Sequence, residues 1–182
     1  MTASTTDAVA SPPSGSIIAS FVDKLVRLCA VVPYALIAFG LRFVMARVFF
    51  VPGQTKVEGP VIPFNWVARG VDFSVTLPSE IKDATLQALQ VQYANLPMPP
   101  LAAAYLFTYA EFVLPLCLII GFATRFAALG LLVMSVMIQL YVMPELWWVT
   151  HVYWVAILMV LMSVGPGAIS VDAVIRFFHE KS

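Results

Sequence analysis

Charge is what this sequence has least of. Asp, Glu, Lys and Arg together make up 11% of its 182 residues and cancel to a formal net charge of zero. Soluble domains carry about 25% charged residues, so an ordinary water-soluble fold is excluded. The even balance offers no basic surplus for nucleic acid. Cysteine is nearly absent: Cys29 and Cys117 form no CxxC and no His/Cys metal spacing. They read as small apolar residues in helices, and no metal site is expected. What fills the space is apolar: 61% hydrophobic residues and a mean hydropathy of +0.92. The composition specifies an integral membrane protein.

Four segments reach the roughly 20 residues that a spanning helix requires. They are 31–51, 100–121, 124–143 and 146–164. The expected fold is therefore an all-α, four-helix transmembrane bundle. Residues 1–20, rich in Ser, Thr, Ala and Pro, read as a disordered tail rather than a cleaved signal peptide. Residues 21–170 form the membrane domain, and 171–182 a short tail. That tail sets Val171, Val174, Ile175 and Phe178 against Asp172, Arg176 and Lys181, as a short helix on a membrane surface would. Pro52 and Pro144 are read as helix breakers. The one long connection, 52–99, is expected to cap one mouth of the bundle, with an amphipathic helix from Ser79, as N-cap, to Tyr93.

Orientation follows from basic residues in the flanks and loops. Lys24, Arg27, Arg125, Arg176 and Lys181 fall on one side; Lys56, Arg69 and Lys82 fall on the other. The richer side is cytoplasmic by this rule. Both termini are then inside and the long loop outside.

Polar groups inside the spans point to function, because each is costly in hydrocarbon. At 1.5 Å per residue, Arg42 and Glu111 fall at nearly the same depth, about 16 and about 15 Å from the inner face. The bland reading is a buried ion pair that fixes helix register. In that case Arg42→Met combined with Glu111→Leu should restore what either change loses. Arg47, Gln139 and His151 form a layer nearer the outside. Each has an ordinary explanation: Arg47 snorkelling to the surface, Gln139 joining helices, His151 sitting at the interface. Converging, they would instead line a cavity for a quinone head group, or for a small anion beside Arg47.

Three stretches carry a family resemblance. Leu41 to Lys56 has an early Arg, a Phe-rich end and a Gly-x-x-Lys exit, Gly53-Gln-Thr-Lys56. Ala110 to Arg125 has Glu111 and a turn Gly121-x-x-x-Arg125. Gly165-Pro-Gly-Ala-Ile-Ser-Val-Asp172 closes the series. Together they resemble the DoxX family of small membrane proteins over roughly residues 35–175. The resemblance implies a four-helix bundle of the cell inner membrane, with Gly53, Lys56, Gly121, Arg125, Gly165 and Asp172 as motif positions beside Arg42 and Glu111. It also implies a link to redox chemistry, since related DoxD/DoxA proteins form a thiosulfate:quinone oxidoreductase.

The expected role is thus a membrane subunit supporting a quinone-linked oxidoreductase or a redox or stress-defence complex. Partners would be the bilayer, quinone and a redox enzyme, with no covalently bound cofactor. The competing readings are a carrier of a small anion or metal-linked species, and a structural anchor for another protein. The sequence names no catalytic residue.

Overall fold

The computed structural model describes residues 19–22, 24, 26, 33–63 and 74–180. Two compact units divide the chain, Met1–Pro33 and Tyr34–Ser182. The expected N-terminal tail lies outside the described residues except at 19 and 20. Everything below concerns the second unit.

Four helical segments there are long and apolar enough to cross a membrane. They are α1 (Tyr34–Lys56), α3 (Pro100–Ile120), α4 (Thr124–Tyr141) and the run Pro144–Val164. The last opens with a 3₁₀ turn, Pro144–Leu146, passes through a π turn, Trp147–His151, and ends as α5 (Val152–Val164). Only 17–44% of each span's apolar window is buried inside the protein. Large side chains such as Phe126, Val133, Leu140 and Trp148 face outward instead. A solvent of lipid tails explains that surface, since water would not tolerate it.

Helix α1 packs most extensively on α3, and α4 on α5. The contacts run through small residues: Ala38, Ala46, Ala103, Ala104, Ala127 and Ala128 are all buried. Without a hydrophobic driving force between helices in lipid, close backbone approach supplies the packing energy. Larger side chains, Met45, Phe49, Phe107, Leu131, Leu158 and Leu161, fill the centre.

The first span differs from expectation. Pro52 does not end it; α1 continues to Lys56 with Pro52 inside. A proline in a spanning helix is tolerated where neighbours compensate for the lost donor. The connection that follows begins as two antiparallel strand pairs, β1 (Val57–Glu58) with β4 (Glu80–Ile81) and β2 (Val61–Pro63) with β3 (Ser74–Thr76). Ser79 is consequently no helix cap: its N–H donates to the Glu58 carbonyl at 3.1 Å, within the strand-paired segment. Helix α2 starts later, at Asp83, and runs to Gln92. It packs on α3, and Leu89, Tyr93 and Leu96 join the core, so the connection does cover one end of the bundle.

The other end is tied by backbone capping. Gly121 ends α3 with φ +74°, and the N–H of Phe122 reaches back to the Cys117 carbonyl at 2.9 Å. No other residue suits that position: a Cβ there would lie 2.6 Å from Ser170 Cβ as well as in a left-handed conformation. The C-terminal segment folds as α6 (Val171–His179), capped by the Ser170 hydroxyl, which accepts from the Ala173 N–H at 3.1 Å. Asp172 in turn caps α4, its two oxygens accepting from Ala123 N–H at 2.7 Å and Thr124 N–H at 2.9 Å. Asp172→Ala is expected to cost about 1–2 kcal/mol, as loss of a helix cap does, read as thermal unfolding in detergent. Asp172→Asn, which keeps one acceptor, should lose less.

Candidate functional site

Helix α1 presents Phe49, Pro52, Gly53 and Lys56 on one stripe, spaced three and four residues apart. Gly53 lets that stripe close onto α3: a Cβ on it would stand 3.1 Å from Glu111 Cβ. The approach brings Lys56 Nζ to both carboxylate oxygens of Glu111, at 2.7 and 2.6 Å. This is the one salt bridge among the described residues, and its two side chains are 17% and 7% exposed.

The pair borders a cavity of about 290 Å³. Val48, Phe49 and Pro52 form one wall; Gln92 and Tyr93 at the end of α2, and Ile138, Met143, His151 and Trp154, form the rest. The π turn places the histidine. One extra residue in the turn lets Val152 N–H reach back five residues to the Trp147 carbonyl. His151 is then buried at 2% exposure while Trp148 within the same turn stands 75% exposed. Such bulges often mark functional positions.

The protonation of His151 follows from its neighbours. Gln139 Nε2 donates to the Pro144 carbonyl at 2.6 Å, so its Oε1 is the acceptor for His151 Nδ1. Nδ1 therefore carries a proton, and in the neutral imidazole Nε2 keeps the lone pair. Trp154 meets the imidazole edge-on at 5.0 Å and Phe49 packs on Trp154 at 5.3 Å. Tyr93, edge-on to Phe107, has its phenol pushed well above the usual range, first by burial and then by the negative charge of Glu111. It stays protonated and able to donate.

Of the residues singled out from sequence, Glu111 and His151 line this cavity and Gln139 orients the histidine. Arg42 does not pair with Glu111. The two were matched in depth by counting from residue 31 as the inner end of the first span; α1 instead starts at Tyr34, which sets Arg42 beside Leu118 and Ile119 at the end of α3, while Glu111 stands level with Gly53. Arg42 lies eleven residues further down, about 16 Å away along the axis. There it is buried, and its guanidinium donates to the carbonyls of Leu118 at 3.2 Å, Ile119 at 3.3 Å and Ile169. Arg47 is exposed on the surface of α1 and does not reach the cavity. Gly53 and Lys56 belong to the cavity end; Gly121, Arg125, Gly165 and Asp172 gather with Arg42 at the other. The shared structural motifs thus mark two ends of one bundle.

A family model described as DoxX matches residues 37–144. The chain belongs to the DoxX family. No curated protein and no solved structure matches it. The DoxX match covers both partners of the Lys56–Glu111 pair, Gln139, the first span from residue 37 and the next two spans whole, and it ends before His151 and Asp172. Sequence reasoning placed Lys56 in the loop and missed Tyr93, Gln92 and Trp154 as cavity residues. The spacing Phe49–Lys56, two full turns, was the available signal for Lys56. No signal in the chain brings residues 92–93 over the bundle.

Proposed function

We propose that this DoxX protein binds the head group of a membrane quinone in the cavity, as the membrane subunit of a quinone-linked oxidoreductase. The observation that carries the reading is the cavity's charge. Lys56 and Glu111 neutralise each other, His151 as a neutral imidazole offers Nε2 as an acceptor, and the remaining wall is largely apolar and aromatic. A neutral, flat ligand with polar atoms at its edges suits such a site. An anion does not: it would have to displace Glu111 from Lys56, and Arg47 is elsewhere. The anion-carrier reading loses its main support with that arginine.

When bound, a quinone supplies two-electron, two-proton redox chemistry. The chain's residues hold and move protons around it. Lys56 and the Tyr93 phenol would donate hydrogen bonds to a carbonyl oxygen, and Phe49 and Trp154, packed edge-on at 5.3 Å, would offer one aromatic wall to the ring. His151 Nε2 accepts a proton from a hydroxyl, and Gln139 Oε1 stabilises the imidazolium so formed by holding its Nδ1–H. Electrons pass to or from a partner enzyme. The basic-residue asymmetry supports an inner-membrane orientation with the cavity on the outer side and both termini in the cytoplasm.

The test is extraction of quinone from protein purified in mild detergent, followed by titration. Wild-type protein should retain quinone, and His151→Ala should weaken binding about tenfold, the worth of one hydrogen bond. Wild-type protein free of quinone and unable to take it up would overturn the proposal in favour of an anchoring role.

A further inference from the structure

The end of the bundle remote from the cavity carries a second concavity. The first turn of α4 and one side of α6 flank a groove of about 380 Å³. Arg125 stands on the α4 wall and Arg176 on the α6 wall, with Phe126, Pro166 and Ile175 between and around them. Asp172 also borders the groove, but both of its oxygens accept backbone N–H bonds from Ala123 and Thr124. Arg176 Nε donates to the Asp172 main-chain carbonyl at 3.2 Å, which fixes the side chain along α6. Among the described residues neither arginine has a carboxylate within ion-pair distance.

Helix α6 adds a second, independent observation. Its polar side holds Asp172, Arg176 and His179, spaced four and three apart. Val174, Ile175 and Phe178 are exposed on the other. A helix so divided lies in the plane where lipid head groups meet acyl chains. Phe126, 79% exposed beside Arg125, continues the apolar surface down α4. Two arginines therefore border one groove beside the exposed apolar side chains Phe126 and Ile175.

We infer that this groove binds an anionic phospholipid, its phosphate bridged between Arg125 and Arg176 and its acyl chain laid along Phe126. Guanidinium forks match phosphate oxygens bidentately, and the apolar side chains explain why a lipid rather than a free anion is the occupant. The site is separate from the quinone cavity and does not depend on it.

The experiment is native mass spectrometry of the full chain titrated with phosphatidylglycerol or phosphatidylcholine in neutral detergent, with inorganic phosphate as a competitor. Wild-type protein should retain phosphatidylglycerol about tenfold better than phosphatidylcholine. R125Q/R176Q should abolish that preference while thermal unfolding in lipid-free detergent stays unchanged. Where the double glutamine variant does not fold, R125K/R176K keeps the charges without the forks and should retain only part of the preference. Equal retention of the two lipids would overturn the inference. So would an unchanged preference in either variant, or displacement of bound lipid by millimolar phosphate.

Discussion

Arg42→Met is expected to be the most damaging single change in the bundle, costing about 3–5 kcal/mol. Arg42 is 1% exposed, and three carbonyl oxygens from two parts of the chain depend on it. Leu118 and Ile119 lie in the last turn of α3, where carbonyls lose their usual helical donors, Leu118 keeping one bond from the Gly121 N–H at 3.2 Å, and the helix dipole is negative. A guanidinium there satisfies the carbonyls and favours the dipole together. Methionine fills the stem's volume and leaves the Ile119 and Ile169 oxygens without this donor in a water-poor environment. Thermal unfolding in detergent should fall by about 10 °C. Adding Glu111→Leu should bring no rescue. The two sites share no partner, so their costs should add within about 0.5 kcal/mol. A rescue of 2 kcal/mol or more in that cycle would restore the direct Arg42–Glu111 pairing.

Lys56 and Glu111 should show the opposite behaviour. Lys56→Met leaves a buried carboxylate without its counter-charge, at a cost of about 3 kcal/mol. Glu111→Leu leaves an ammonium at the cavity wall and should also destabilise. The double variant, K56M/E111L, should recover most of the loss, because both charges and their desolvation go together. Its stability should then be close to that of the wild type while quinone retention is lost. That combination separates a site for binding from a pair that serves folding alone. Full quinone retention in a stable double variant would remove Lys56 and Glu111 from the ligand's contacts.

The contrast between these two experiments shows where sequence reasoning succeeds and fails. Apolar length found the spans: 100–121, 124–143 and 146–164 against the observed 100–120, 124–141 and 144–164. Length is dictated by bilayer thickness, so it is written locally. Register is not. A proline at 52 reads as a stop, yet α3 packs against α1 beyond it, and the five added residues carry Lys56 into the membrane domain. That shift exchanged the partner of Glu111. His151 and Gln139 were legible because both lie near the same connection, between α4 and the last span, and need little tertiary knowledge to be brought together. Tyr93 comes from a helix outside the bilayer whose docking no pattern encodes. Arg42 was legible as a buried cation, but its partners are main-chain oxygens, which every residue has and no sequence displays.

The caps that Asp172 and Arg42 share with distant segments also bear on how the bundle is assembled. Synthesis delivers Ala123 and Thr124 roughly fifty residues before Asp172, so the α3–α4 hairpin forms with those two amides still open. Arg42 likewise waits for the carbonyl of Ile169. A chain stopped after Val164 would hold all four described spans and still be unfinished. The segment from Ile169 to Asp172 acts as a clasp that closes only on a fully inserted bundle, and a nascent chain lacking it presents an end that proteases can open.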